Sequence, residues 1–342
     1  MIKNAIWLLT LCFLFSCKEE NVPDVSGIKA DVKIVRTEKD VFKLGDVNDL
    51  KVLIKNNPAF YQLYLNEILS LRSNSNMDTI LHELQEFTKD SLVWDLYNKV
   101  DNMYSDFSPI KVQADQMYKF MKYYFPEKSS LPNLYTFISE FGYQIFVFQD
   151  DDGQDGIGIG LDMFLRPEIN YKMVDPDNTN FSDYLTSTWN KDHIVKKIAD
   201  LQVAEIAGEP PGHRLIDQML HNGKILYITK LLLPAAHDSI IMEYTGKQLL
   251  WCQNNELQMW SFFFDQKLFY ESNPAKISKY VNPGPKSPDM PDEAPGRTAN
   301  YIGWQIVKAY MDRFPETNLK ELLDINDSQW FMEKSKYKPR QK

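Results

Sequence analysis

The chain has 342 residues, with 38 Lys and Arg against 47 Asp and Glu, a formal net charge of −9 at pH 7. Such an excess of carboxylates argues against a nucleic-acid partner, whose affinity comes largely from neutralised phosphates, and against electrostatic attachment to a membrane. The length suffices for one large or two ordinary domains with real cores, and 18 Tyr, 20 Phe and 7 Trp belong to a folded body.

At the N-terminus, Lys3 precedes an apolar run from Ala5 to Phe15, followed by Ser16-Cys17. The run is too short to cross a ~30 Å hydrocarbon core, which takes about 20 apolar residues, and has the layout of a secretory signal peptide over residues 1–16. Leu14-Phe15-Ser16-Cys17 resembles the lipobox of bacterial lipoproteins, with Phe15 bulky for its place. That resemblance implies a diacylglycerol on the Cys17 thiol and Cys17 as the mature N-terminus. The alternatives are a plain signal peptide with an incidental cysteine, or a short buried helix. Without residues 1–16 the balance is 37 − 47 = −10, so attachment rests on the acyl chains, at about 0.8 kcal/mol per buried CH₂. Cys12 leaves with the signal and Cys17 carries lipid. Cys252 then stands alone, and no intramolecular disulfide can form.

Residues 17–31 are polar, broken by Pro23 and Gly27, and are expected to be a tether. A single globular body over 32–342 follows, with a mainly helical lobe to residue 130 and a sheet plus helical lobe from 131. Val32–Leu44 alternates as one or two short strands. Leu50, Leu53 and Ile54, then Phe60, Leu63, Tyr64 and Ile68 after Pro58, are spaced for helices. Asp78 is a candidate N-cap for a run in which Leu81, Leu84, Phe87, Val93, Leu96, Tyr97 and Val100 form a core-facing stripe. A helix over Val112–Tyr124 stops at Pro126. The β pattern lies at 133–165, in Leu134–Ser139, Tyr143–Gln149 and Ile157–Phe164, with an acidic turn between the last two. The fold class expected is α+β, mostly helical with a small antiparallel sheet. Helices resume at Lys191–Ala207, from Leu215 through Lys230, and over Thr245–Tyr270. Pro283–Pro295 has five prolines in thirteen residues and excludes regular structure. A helix from Tyr301 to Arg313, an Asn318–Glu321 capping box and a basic tail with five Lys or Arg in its last nine residues complete the chain.

Motifs for chemistry are sparse. The Asp150–Gly156 turn fails as a calcium loop, because placing Gly153 at position 6 puts Phe148 and Ile159 at the end ligand positions. His82-Glu83 opens like a zinc-protease helix, but Glu86 stands where the second imidazole is needed. His193, His213, His221 and His237 form no i,i+4 pair, and no metal or other cofactor is expected. The alternating glycines 156, 158 and 160 suggest backbone crowding or a bulge in a strand. Arg297, at the end of the proline loop, is placed to pair with Glu256 or Glu243. Together with Trp304 and His221 these form the candidate cleft or interaction set, against a purely structural loop with an internal salt bridge.

Gly158-Ile-Gly-Leu-Asp162, Asn222-Gly-Lys224, Tyr244-Thr-Gly-Lys-Gln248, Asn255-Glu-Leu-Gln-Met-Trp260, Pro295-Gly-Arg297, Gly303-Trp-Gln-Ile-Val307 and Ser335-Lys-Tyr-Lys-Pro339 resemble the GldB-type gliding-motility lipoproteins of Bacteroidetes. The resemblance implies an outer-membrane-associated lipoprotein acting with other gliding or type IX secretion proteins, in a non-enzymatic interaction or scaffold role. Cys17-Lys-Glu-Glu20 is similar to a surface-export signal of that phylum, which leaves the face of the membrane open. Such chains are also distantly similar to putative zinc metallopeptidases. Here Ala199–Ile206 lacks the histidine pair and His221-Asn222-Gly223 lacks the later glutamate, so that similarity implies a degenerate zincin-like fold whose cleft persists as a groove. The alternatives are a hydrolase using Glu205, His221 or Glu243, and a surface glycan- or peptide-binding lipoprotein using Arg297 and Trp304.

Overall fold

A computed structural model of the chain describes residues 22–71, 76–128, 130–151 and 153–340. The expected signal peptide and Cys17, the expected site of lipidation, lie outside the described residues. The fold is α+β and 59% helical.

Among the described residues four strands form one sheet: β1 (Ile34–Arg36), β2 (Asn133–Phe137), β3 (Ile145–Gln149) and β4 (Asp155–Gly160), in the order β1-β2-β4-β3. The antiparallel pairing expected from the hairpin is that of β3 with β4, whereas β2 pairs parallel with both β1 and β4, making the sheet mixed. After β2 the chain passes to the sheet edge as β3, and the hairpin returns β4 between them.

Period-two alternation in β2 and β4 feeds two cores. Leu134, Ile157 and Ile159 point into the larger core with the C-terminal helices. Tyr135 and Phe137 point the other way, under Leu50, Phe60, Tyr64, Ile80 and Leu84 from the helices Val47–Asn56, Pro58–Leu63 and Met77–Lys89 and the short π-helical turn Tyr64–Ile68. On that second face β4 carries glycine. A Cβ on Gly158 would sit 2.3 Å from the Phe146 ring and one on Gly156 2.4 Å from the Phe148 ring, so the crowding expected there comes from cross-strand rings folded over the bare backbone.

The larger core is organised around Leu215–Leu232 and Thr298–Arg313, both buried along most of their length, the polar Asp217, Lys224, Asn300 and Gln305 included. They cross at Gly223 and Gly303. A Cβ on Gly303 would lie 1.9 Å from the Met219 carbonyl oxygen, and one on Gly223 2.4 Å from the Gly303 carbonyl carbon. Among the described helices none is long and apolar enough to cross a membrane.

Three local expectations are corrected. Asn76, not Asp78, caps Met77–Lys89, its side chain accepting from Thr79 N–H at 2.9 Å. Thr245–Tyr270 breaks at Asn255 into Gly246–Asn254 and Glu256–Asp265, where the Asn255 amide donates back to the Trp251 carbonyl and competes with the helix. The tether ends early: Val25 is buried in the larger core, and Val32 N–H donates to Asp115 at 2.7 Å.

Candidate functional site

A cavity of about 700 Å³ opens between the β2–β3 loop, the segment 178–189, the start of the Ile194–Ala207 helix and the base of the proline loop. Its volume falls in the range of ligand sites. Residues 199–224 do not line it.

Its floor is an ion-pair cluster built on Glu243. Asp238–Met242 is a five-residue helix that ends at Glu243 in the left-handed region, φ 55°, turning the side chain back under the cavity. Glu243 Oε1 accepts from Lys197 Nζ at 2.9 Å and forms an ion pair with Lys196 Nζ at 3.1 Å, and Oε2 accepts from Arg297 Nη1 at 3.0 Å. Lys196 also pairs with Asp200 one helical turn on, and Thr229 donates to the other Asp200 oxygen at 3.2 Å. Burial alone would raise the Glu243 pKa. Lys196, Arg297 and Lys197 override it and hold the carboxyl well below its usual range.

Arg297 is itself left-handed, φ 61°, and its Nη2 donates to the carbonyls of Met242 and Glu243. Its backbone is fixed by the loop behind it. Gly296 abuts Gly284, where a Cβ would meet backbone at 2.6 Å, and the buried Ser287 donates to the Pro295 carbonyl at 2.7 Å. The irregular proline loop is thus tied at its base. Tyr244 donates to the Gly296 carbonyl at 2.6 Å, and burial pushes the neighbouring Cys252 thiol up to about 12.

The opposite rim is the β2–β3 loop, where Glu140 (φ 52°) and Phe141 (φ 68°) are consecutive left-handed residues. Asp162 holds them, its Oδ2 accepting from Phe141 N–H at 2.6 Å and Ser139 N–H at 3.2 Å. Complete burial raises the Asp162 pKa to about 6, against the lowering effect of those N–H groups. His193 is buried, bonded through Nδ1 to Asn190 at 2.9 Å, and burial lowers it to about 4.

Of the candidates read from the sequence, Arg297 and Glu243 do meet and share the cavity floor. Glu256 does not join them: buried elsewhere, it accepts from Tyr337 Oη at 2.7 Å and Arg340 N–H at 3.1 Å, docking the basic tail. Trp304 is 0% exposed and lies in the core with Lys308 Nζ 3.6 Å above its ring, so it offers no binding surface. His221 is half-buried on Leu215–Leu232 and outside the cavity lining. Glu205 is exposed and pairs with Lys128 at 2.7 Å, away from Glu243. Of the hydrolase candidates Glu205, His221 and Glu243, only Glu243 lines the cavity. Among the described residues no group of three His, Cys, Asp or Glu is placed to hold a metal.

Sequence reading missed Lys196, Lys197 and Asp200. Their one visible sign is a lysine with an aspartate four residues on, inside an otherwise apolar helix.

A second, more apolar hollow of about 570 Å³ lies beside Val22, among Met117, Phe120, Leu233 and Ile240.

The quoted motifs map onto these features. Asp162 braces the rim, Tyr244 and Pro295-Gly-Arg297 form the floor, and Gly223 and Gly303 make the helix crossing. No curated protein and no solved structure matches the chain. The family model described as gliding motility protein GldB matches residues 18–339, nearly the whole length. The chain belongs to the family of the gliding motility protein GldB.

Proposed function

We propose that the chain is a gliding-motility lipoprotein held at the outer membrane by lipid on Cys17, working by binding other envelope proteins of gliding and type IX secretion rather than by catalysis. The family supports the motility role and the lipoprotein character. The sequence Leu14–Cys17 supports the site of the lipid.

The non-enzymatic half of the reading is carried by Glu243. It is the acidic side chain at the centre of the cavity floor, and both its oxygens are engaged by Lys196, Lys197 and Arg297. A general base must accept a proton near the working pH. A carboxylate whose pKa three cations have depressed is the wrong group for that task. Asp162 is raised but lies fully buried behind Phe141.

The test is affinity capture of the tagged chain from detergent-solubilised envelopes. The reading expects other envelope proteins in the eluate and no turnover of peptide or glycan libraries. Capture of the chain alone, or turnover abolished by Glu243→Gln, would refute it.

A further inference from the structure

We propose that the cavity above Glu243 binds an organic carboxylate with an apolar body, its charged end received by Lys197 and Arg297. The proposal does not rest on the gliding reading: it is tested on the purified chain with small acids, and its failure would leave envelope placement through Cys17 unaffected.

Charge is the first ground. Lys196, Lys197 and Arg297 face Glu243 and Asp200, so three cations meet two carboxylates and one positive charge is left over. Asp183, also on the lining, does not cancel it, because Arg166 holds it at 2.9 Å. A surplus of one matches a monoanion better than a phosphate ester.

Donors are the second ground. An ammonium has three N–H groups, and Lys197 directs one to Glu243, leaving two. Arg297 Nη1 directs one of its two to Glu243. Gln144 also lines the cavity, and its Nε2 is buried with no acceptor among the described residues. A buried donor left unpaired costs about 1–3 kcal/mol, which a ligand oxygen would relieve.

The walls supply the third. Phe181 meets Trp189 edge-on at 5.8 Å and Phe141 at 6.2 Å, giving the ligand's body an aromatic face across from the cations. Left-handed non-glycine residues stand on both sides, Glu140 and Phe141 on one and Glu243 and Arg297 on the other. Strained backbone of this kind persists where surrounding structure over-determines it, and it clusters at ligand clamps.

Two sources share this chemistry, a free small acid and the C-terminal carboxylate of a peptide. Isothermal titration of the purified full chain in detergent micelles separates them, using phenylacetate and N-acetyl-glycyl-phenylalanine, each beside its neutral amide. At least one acid is expected to bind one to one, and about tenfold or more tighter than its amide, the scale of one charge-assisted hydrogen bond. Tighter binding of the peptide acid assigns the site to chain termini, and tighter binding of phenylacetate to free acids. Lys197→Met should weaken the acid about tenfold while Lys197→Arg restores it, because Glu243 keeps Lys196 and Arg297. If Lys197→Met does not fold, Gln144→Leu replaces it with the same expectation. Amides binding as tightly as acids, an unchanged affinity in the variant, or no saturation by any of the four probes would overturn the proposal.

Discussion

Replacing Gly303 by alanine tests the helix crossing on which the larger core depends. A Cβ there would stand 1.9 Å from the Met219 carbonyl oxygen and 2.7 Å from its carbon. Ordinary contact begins near 3.4 Å, so the two helices must part by on the order of 1.5 Å. Met219 contributes backbone, which no rotamer change can move aside. Overpacking in a close-packed core costs about 1–3 kcal/mol even where side chains can yield. Parting these helices would also loosen Trp304, Ile302 and Leu220, all buried at the seam. The intrinsic gain of alanine over glycine in a helix, about 1 kcal/mol, is too small to offset this. Gly303→Ala should therefore lose roughly 3 kcal/mol or more in urea unfolding. Gly246→Ala is the control: nothing lies within 4 Å of its added Cβ, and it should be neutral or slightly stabilising. A Gly303→Ala protein as stable as the control would refute the crossing.

Asp162 is raised from 3.8 to about 6 by burial. Its contribution to stability is complete below the unfolded value and is lost as pH rises through the folded one. Two pKa units correspond to about 3 kcal/mol. Asp162→Asn should remove that fall between pH 4 and 6 in denaturation midpoints. Lys224 is lowered from 10.5 to about 8 by burial, its Nζ donating to the Ile325 carbonyl at 2.7 Å. The unfolded chain binds the extra proton between those values, so wild-type stability should rise by roughly 3 kcal/mol from pH 8 to 10.5, and Lys224→Met should flatten the rise. Tyr337→Phe leaves the buried Glu256 with one donor fewer, and should cost about 2 kcal/mol and expose the last ten residues to protease.

Much of the helical layer was legible because its stripes have one solvent face. The spacing of Leu81, Leu84, Val93, Leu96 and Val100 marks the helical stretch, although the single run divides at Asp90, whose side chain caps Ser91–Met103, and the Asn318–Glu321 box caps its helix as expected. Strand pairing was not legible. β1 joins β2 across about a hundred residues, and nothing local in Ile34–Arg36 records a partner so far away. The glycines of β4 had their reason on another strand, in Phe146 and Phe148. At the site, charge proposed a carboxylate for Arg297 but left Glu256 and Glu243 equal, and only the fold brings Glu243 to it. Lys196 escaped notice because a lysine in a helix ordinarily means a solvated face, and here it is 2% exposed. Trp304 misled for the opposite reason: a tryptophan beside an irregular loop looks like a binding surface, but it belongs to the crossing that Gly303 permits.

In cells lacking the protein, wild type and Cys17→Ala chains can be compared for envelope fractionation and for gliding in the same cultures. The account predicts that wild type returns to the outer membrane and restores movement, whereas Cys17→Ala folds, appears in the soluble fraction and leaves the cells immobile. A soluble Cys17→Ala chain that restores gliding would contradict it.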